Sequence, residues 1–171
     1  MCLAIPMRLI EINGVTAVAG ALNVCRTRTY EGQPAMELEM AADEDEDGFY
    51  AADIKRAGDV LVLDTLAVFA GVVADRLAGV APGIIAARFH NSLVRLLAQA
   101  CGLIRERTGL GLVALSGGTF QNALLFTRLQ QRLAARGFEV LTHKLTPPND
   151  GCIALGQVAV AAARIKEGEK G

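Results

Sequence analysis

The sequence predicts an α/β fold, and three observations carry that expectation. The apolar run Leu112-Val113-Ala114-Leu115 ends at a glycine turn, leucines four apart follow at 125, 129 and 133, and Phe138-Glu139-Val140-Leu141 then alternates like a strand. Strand, turn, helix and strand in that order make a βαβ unit, with two parallel strands joined by a right-handed crossover.

The other elements follow from local signals. Residues 3–10 and 15–19 are β-prone and flank Asn13-Gly14, a dipeptide that favours a tight turn, so a short N-terminal β-hairpin is expected. Pro34 before Ala-Met-Glu-Leu-Glu-Met reads as a helix with proline in its first turn. The run Asp43 to Asp47 reads as a solvated loop, because like charges repel. Val60 to Leu63 is a candidate strand, after which Asp64 or Thr65 caps a helix that reaches Leu77 before Gly79. A longer helix is expected from Pro82 to Thr108, where Ile85, Phe89, Leu93, Leu96, Leu97 and Ile104 form a stripe expected to pack on a sheet. Gly137 ends the helix after the glycine turn. Pro147-Pro148 imposes an extended loop, and a last helix runs from about Gly151 to Lys166.

Composition excludes several classes. The 171 residues suffice for one domain, or one lobe with a small appendage, and 52% hydrophobic against 20% charged residues mark a folded chain. Seventeen Lys and Arg against 18 Asp and Glu give no basic excess for nucleic acid. The longest apolar stretch, Leu66 to Ala74, is far short of the roughly 20 residues that span a bilayer. The opening Met1-Cys2-Leu3-Ala4-Ile5-Pro6 lacks the basic start of a signal peptide, so a cytoplasmic location is expected. Four scattered cysteines form no CxxC pair and read as free thiols. If Met1 is removed, Cys2 offers a thiolate and an α-amine to a metal or a partner.

Ser116-Gly117-Gly118 sits where a strand gives way to a helix, the place where α/β sheets collect ligands. Glycine permits close backbone approach, and free N–H groups at the following helix start would favour an anion. The alternative is a tight turn that needed glycine. Asp150 is open to two readings as well, an N-cap of the last helix or a metal ligand beside nucleotide phosphates. His90 and His143, the only histidines, read as structural, since no HxxxH or HExxH spacing joins them. Tyr30-Glu31-Gly32-Gln33 suits either a ribose or an ordinary turn.

Four blocks then combine. Tyr30-Glu31-Gly32-Gln33-Pro34-Ala35-Met36-Glu37-Leu38-Glu39, Ile85 to His90, Ala114 to Asn122 and Pro147 to Gln157 occur in the order and spacing of the last domain of the HypF family of nickel-iron hydrogenase maturation carbamoyltransferases, and the resemblance runs from about Tyr30 to Ile165. It implies one lobe of a ribonuclease H-like, actin-like fold, the C-terminal lobe of a Kae1-like carbamoyltransferase domain, over residues 21–171. By resemblance Gly117, Gly118 and Asn122, with Ser116, line a site for ATP or carbamoyl-adenylate. Glu31 and Gly32 face its ribose, and Asp150 binds a divalent metal, zinc or iron. The family carbamoylates the C-terminal cysteine of HypE, on the way to a cyanide ligand of the hydrogenase iron. The family's first lobe and its metal-binding histidines have no counterpart here, so transfer is expected to need that lobe in trans or a homo-oligomer. Residues 1–20 are similar to the opening of HypC, a small chaperone whose N-terminal cysteine holds iron and binds HypD. A scaffold working through Cys2 and an inert fusion remnant are therefore the competing readings.

Overall fold

The computed structural model describes residues 13–58 and 60–168. In chain order these form α1 (Asn13–Ala21), α2 (Gln33–Met40), β1 (Ile54–Ala57), β2 (Val60–Leu63), α3 (Thr65–Leu77), α4 (Pro82–Thr108), β3 (Leu112–Leu115), α5 (Ala123–Ala135), β4 (Glu139–Thr142) and α6 (Ile153–Gly168). Short 3-10 turns over Gly118–Gln121 and Asp150–Cys152 precede α5 and α6.

The βαβ expectation holds. β3 and β4 pair in parallel from Leu112 opposite Glu139 to Leu115 opposite Thr142, with α5 between them in sequence. β1 and β2 form a separate antiparallel pair that starts at Ile54 opposite Leu63. At its end Lys55 Nζ meets Asp64 Oδ2 at 2.7 Å, and Asp64 Oδ1 accepts the Ala67 N–H at the start of α3.

α4 is the spine of the core. Ile85, Ala86, Phe89, Leu93, Leu96 and Leu97 are buried along it. They meet Leu125, Leu129 and Leu133 of α5, Val68 and Val72 of α3, Leu38 of α2, and Val18 and Leu22 in and after α1. Each Ile, Leu, Val or Phe side chain so removed from water contributes about 1.5–3 kcal/mol. The stripe therefore packs chiefly on helices, not on the expected sheet; the β3–β4 pair adds only buried Leu115 and half-buried Val113 and Val140.

The hairpin expectation needs correction. Residues 15–19 lie inside α1, and residues 3–10, its other arm, lie outside the described residues, as does Cys2. Val18, Ala19 and Leu22 fall on one helical face and are almost completely buried, so packing outweighs the weak strand preference of a short Val-Thr run. Arg76 Nε donates to the Ala21 carbonyl at 3.0 Å and so caps α1 from α3.

The acidic run is a loop, as expected, yet it does more than carry charge. Asn91 Nδ2 donates to the Glu46 and Gly48 carbonyls at 3.0 and 2.8 Å, and Arg128 Nη2 donates to the Glu44 carbonyl at 2.7 Å. Arg128 Nη1 bonds Asn91 Oδ1. Arg88 meets Asp75 at 2.9 Å and Glu46 at 3.3 Å, and Tyr50 donates its hydroxyl to the same Asp75 oxygen at 2.8 Å. Burial and then that bond to Asp75 push the Tyr50 phenol well above its usual range. Residues 44–50 are thus buckled onto α3, α4 and α5. No helix among the described residues is long and apolar enough to cross a membrane.

Candidate functional site

β3 delivers buried Leu115 and then the exposed turn Ser116-Gly117-Gly118. Gly117 has φ 110° and ψ 157°, a region open essentially to glycine alone, so the turn is built on that residue's freedom. Its N–H donates to the Pro148 carbonyl at 2.7 Å. A Cβ placed on Gly118 would lie 4.0 Å from the Asn149 Cβ. Two motifs about thirty residues apart in sequence, the glycine turn and Pro147-Pro148-Asn149-Asp150, are therefore one surface.

Asn149, one residue earlier than expected, caps the last helical segment by accepting the Gly151 N–H at 3.1 Å. The cap is an Asx turn, in which the side-chain oxygen accepts from the residue two further on. Asp150 is freed from that duty, and its side chain is exposed. Among the described residues no group of three or more His, Cys, Asp or Glu could hold a metal ion, so Asp150 and its neighbours do not make a metal site on their own.

The expectation of free N–H groups at the start of α5 is overturned. Glu39 of α2 accepts the Ala123 and Leu124 N–H groups at 2.6 and 3.1 Å. Asn122 Oδ1 accepts the Leu125 N–H at 2.8 Å, and the Asn122 carbonyl takes that of Phe126 at 3.0 Å. The positive end of the helix already holds a carboxylate of the chain itself. The amides of Gly118 and Thr119, at the head of the exposed 3-10 turn, have no acceptor among the described residues.

Behind the turn lies His90, almost wholly buried in α4. Its Nδ1 is 2.8 Å from the Ala86 carbonyl, which can only accept, so Nδ1 carries the proton. Nε2 then accepts from Asn122 Nδ2 at 3.0 Å. Burial pushes the His90 pKa down, against a smaller upward pull from the Ala86 bond, and the ring is kept neutral. His90 is the structural residue that the sequence implied.

His143, the other residue that reads as structural in the sequence, lies at the glycine turn. Its Nε2 lies 2.8 Å from Ser116 Oγ and its Nδ1 3.1 Å from Thr146 Oγ1. The ring follows β4, and the parallel pairing of β4 with β3 brings it beside the glycine turn. No spacing in the sequence signals a contact across 27 residues.

Of the other expected site residues, Gly32 caps the start of α2 at φ 83° and Glu31 is exposed beside it. Glu39 lies seven residues on, roughly 10 Å along the helix axis, and touches α5. Ser116, Gly117, Gly118, Asn122 and Asp150 thus cluster, and α2 links Glu31 and Gly32 to them from a distance.

These elements form one lobe of a ribonuclease H-like, actin-like fold. The chain belongs to the family described as the second subdomain of the Kae1-like carbamoyltransferase domain, which it matches over residues 15–157. It is 37% identical to carbamoyltransferase HypF2 of Cupriavidus necator, over 86% of this chain and 21% of that protein. With carbamoyltransferase HypF of Rhodobacter capsulatus the identity is also 37%, over 88% of this chain and 19% of the relative. The chain thus spans about a fifth of these relatives. A crystal structure of full-length HypF in its phosphate- and nucleotide-bound form superposes with a TM-score of 0.80 at 39% identity, covering 85% of this chain and 19% of that one. HypF of T. kodakarensis gives 0.73 at 25% identity, over 90% of this chain and 20% of that one.

Proposed function

We propose that this chain supplies the phosphate-holding half of a carbamoyltransferase site used in nickel-iron hydrogenase maturation, on the route from carbamoyl-adenylate to a carbamoylated HypE. The observation that carries the reading is the junction of the glycine turn with the Pro147–Asp150 loop through the Gly117 N–H and Pro148 carbonyl. It brings the turn that carries the exposed Gly118 and Thr119 amides against the loop that carries Asp150. Amides of that kind suit nucleotide phosphates. Gly117 gives the backbone its close approach, Asn122 braces the turn, and Glu31 with Gly32 meets the ribose end.

Asp150 contributes one carboxylate toward a divalent cation whose other ligands come from a first subdomain. A first subdomain completes the cleft. α6 supports this, because Ile153, Leu155, Val158, Val160 and Ile165 are all more than half exposed along it. A helix apolar on most of its circumference belongs in a larger core.

Calorimetric titration with ATP and a divalent cation tests the reading. Saturable binding by the wild type, lost in Gly117→Val and weakened in Asp150→Ala, is expected. A folded chain that binds no ATP would sink it.

A further inference from the structure

We propose that His143 is a positioning residue for the nucleotide phosphates, acting through Ser116 as the middle of a three-member donor relay. The inference rests on the nucleotide reading above and adds a residue and a proton arrangement to it. The hydroxyl of Ser116 is 2.8 Å from Nε2, and that of Thr146 is 3.1 Å from Nδ1. Both partners are hydroxyls, which donate and accept equally well, so without ligand the neutral ring is free to take either tautomer. An anion at the exposed turn removes that freedom. Phosphate oxygens only accept, so Ser116 must turn its single hydrogen toward the ligand and has none left for the ring. Nε2 must then carry the proton and donate to Ser116 Oγ, and Nδ1 must accept from Thr146. The donors run from Thr146 through the ring to Ser116 and on to the phosphate, each polarising the next.

His90 supplies an internal reference. Its Nδ1 faces the Ala86 carbonyl and its Nε2 accepts from Asn122, the opposite proton placement. Because the chain has only these two histidines, its imidazole nitrogen spectrum contains one fixed ring and one that the ligand sets.

The experiment is a two-bond proton–nitrogen spectrum of the full chain labelled at histidine, recorded near pH 8 with and without saturating ATP and assigned with His143→Gln. With ATP, His143 is expected to settle wholly as the Nε2–H tautomer while His90 stays Nδ1–H. In parallel, His143→Ala is expected to weaken ATP binding about fivefold, the scale of one neutral hydrogen bond. Thr146→Val weakens it by a smaller factor. The double variant His143→Ala with Ser116→Ala binds no more weakly than Ser116→Ala alone, because the histidine works through the serine. An ATP-saturated protein whose His143 ring is Nδ1–H or a mixture of tautomers, or whose two variants combine additively, overturns the relay and leaves the nucleotide reading standing. Failure of the wild type to bind ATP removes both.

Discussion

His90 Nε2 and Asn122 Nδ2 lie 3.0 Å apart, so the first third of the core helix holds the residue that caps α5. Asn122 serves two elements at once, since its Oδ1 also caps α5 through the Leu125 N–H. Asn122→Ala should cost about 2 kcal/mol, one part for the cap and one for a buried ring nitrogen left without a donor. Asn122→Asp restores the cap alone and should recover only part of the loss. Urea unfolding of the three proteins, read as midpoint shifts, measures both steps.

The same ring gives stability a pH dependence. Burial holds its folded pKa below the ordinary histidine value of about 6.5, so the unfolded chain binds the proton more readily. Stability from this group is complete above about pH 6.5 and declines as pH falls toward and through the folded pKa. Unfolding free energies measured from pH 8 down to 5 should fall in the wild type, and fall less in His90→Gln.

Glu39 stands at the positive end of α5 as a built-in anion. Glu39→Ala should destabilise the fold by about 1–2 kcal/mol, through two unpaired amides and a lost charge–dipole contact. Glu39→Gln keeps an acceptor and should lose less. Thermal unfolding at low ionic strength separates the two, since salt should narrow the difference.

Arg128 and Asn91 hold the acidic segment by its carbonyls rather than by its charges. Arg128→Ala should release residues 44–48 while α4 and α5 stay folded. Brief digestion with a glutamate-specific protease should then cut at Glu44 or Glu46 much faster than in the wild type. Equal cutting rates would show that the buckle contributes nothing.

The exposed apolar residues of α6 predict self-association of the isolated chain at high concentration. Sedimentation velocity should show a concentration-dependent shift, abolished by Leu155→Lys combined with Val158→Lys. A wild type that stays monomeric throughout would argue against an adhesive α6.

Where local chemistry fixes structure, the sequence was a sufficient guide. Pro82 and Gly109 bracket α4 where it was expected, and Asp64 caps α3 through its own side chain. β1 went unseen because Ile-Lys-Arg-Ala carries no alternating apolar pattern; it is a strand because β2 offers it a partner. α1 was misread because burial against α2 and α3, not propensity, decides its conformation. At the site, the glycine turn and the proline loop were each legible, but their contact was not. Glu39 and His143 escaped for the same reason: their partners are 84 and 27 residues away, and only the folded chain brings them within reach.

The contact between Glu39 and α5 also fixes a length. The turn at Gly32 opens α2, and two helical turns later the same rigid rod is bolted to the element that follows the glycine turn. The gap between the two turns is therefore gauged by hydrogen-bonded helix rather than by loop. The separation of the two turns is thus a property of helix geometry, set at about 1.5 Å for every residue between Gly32 and Glu39.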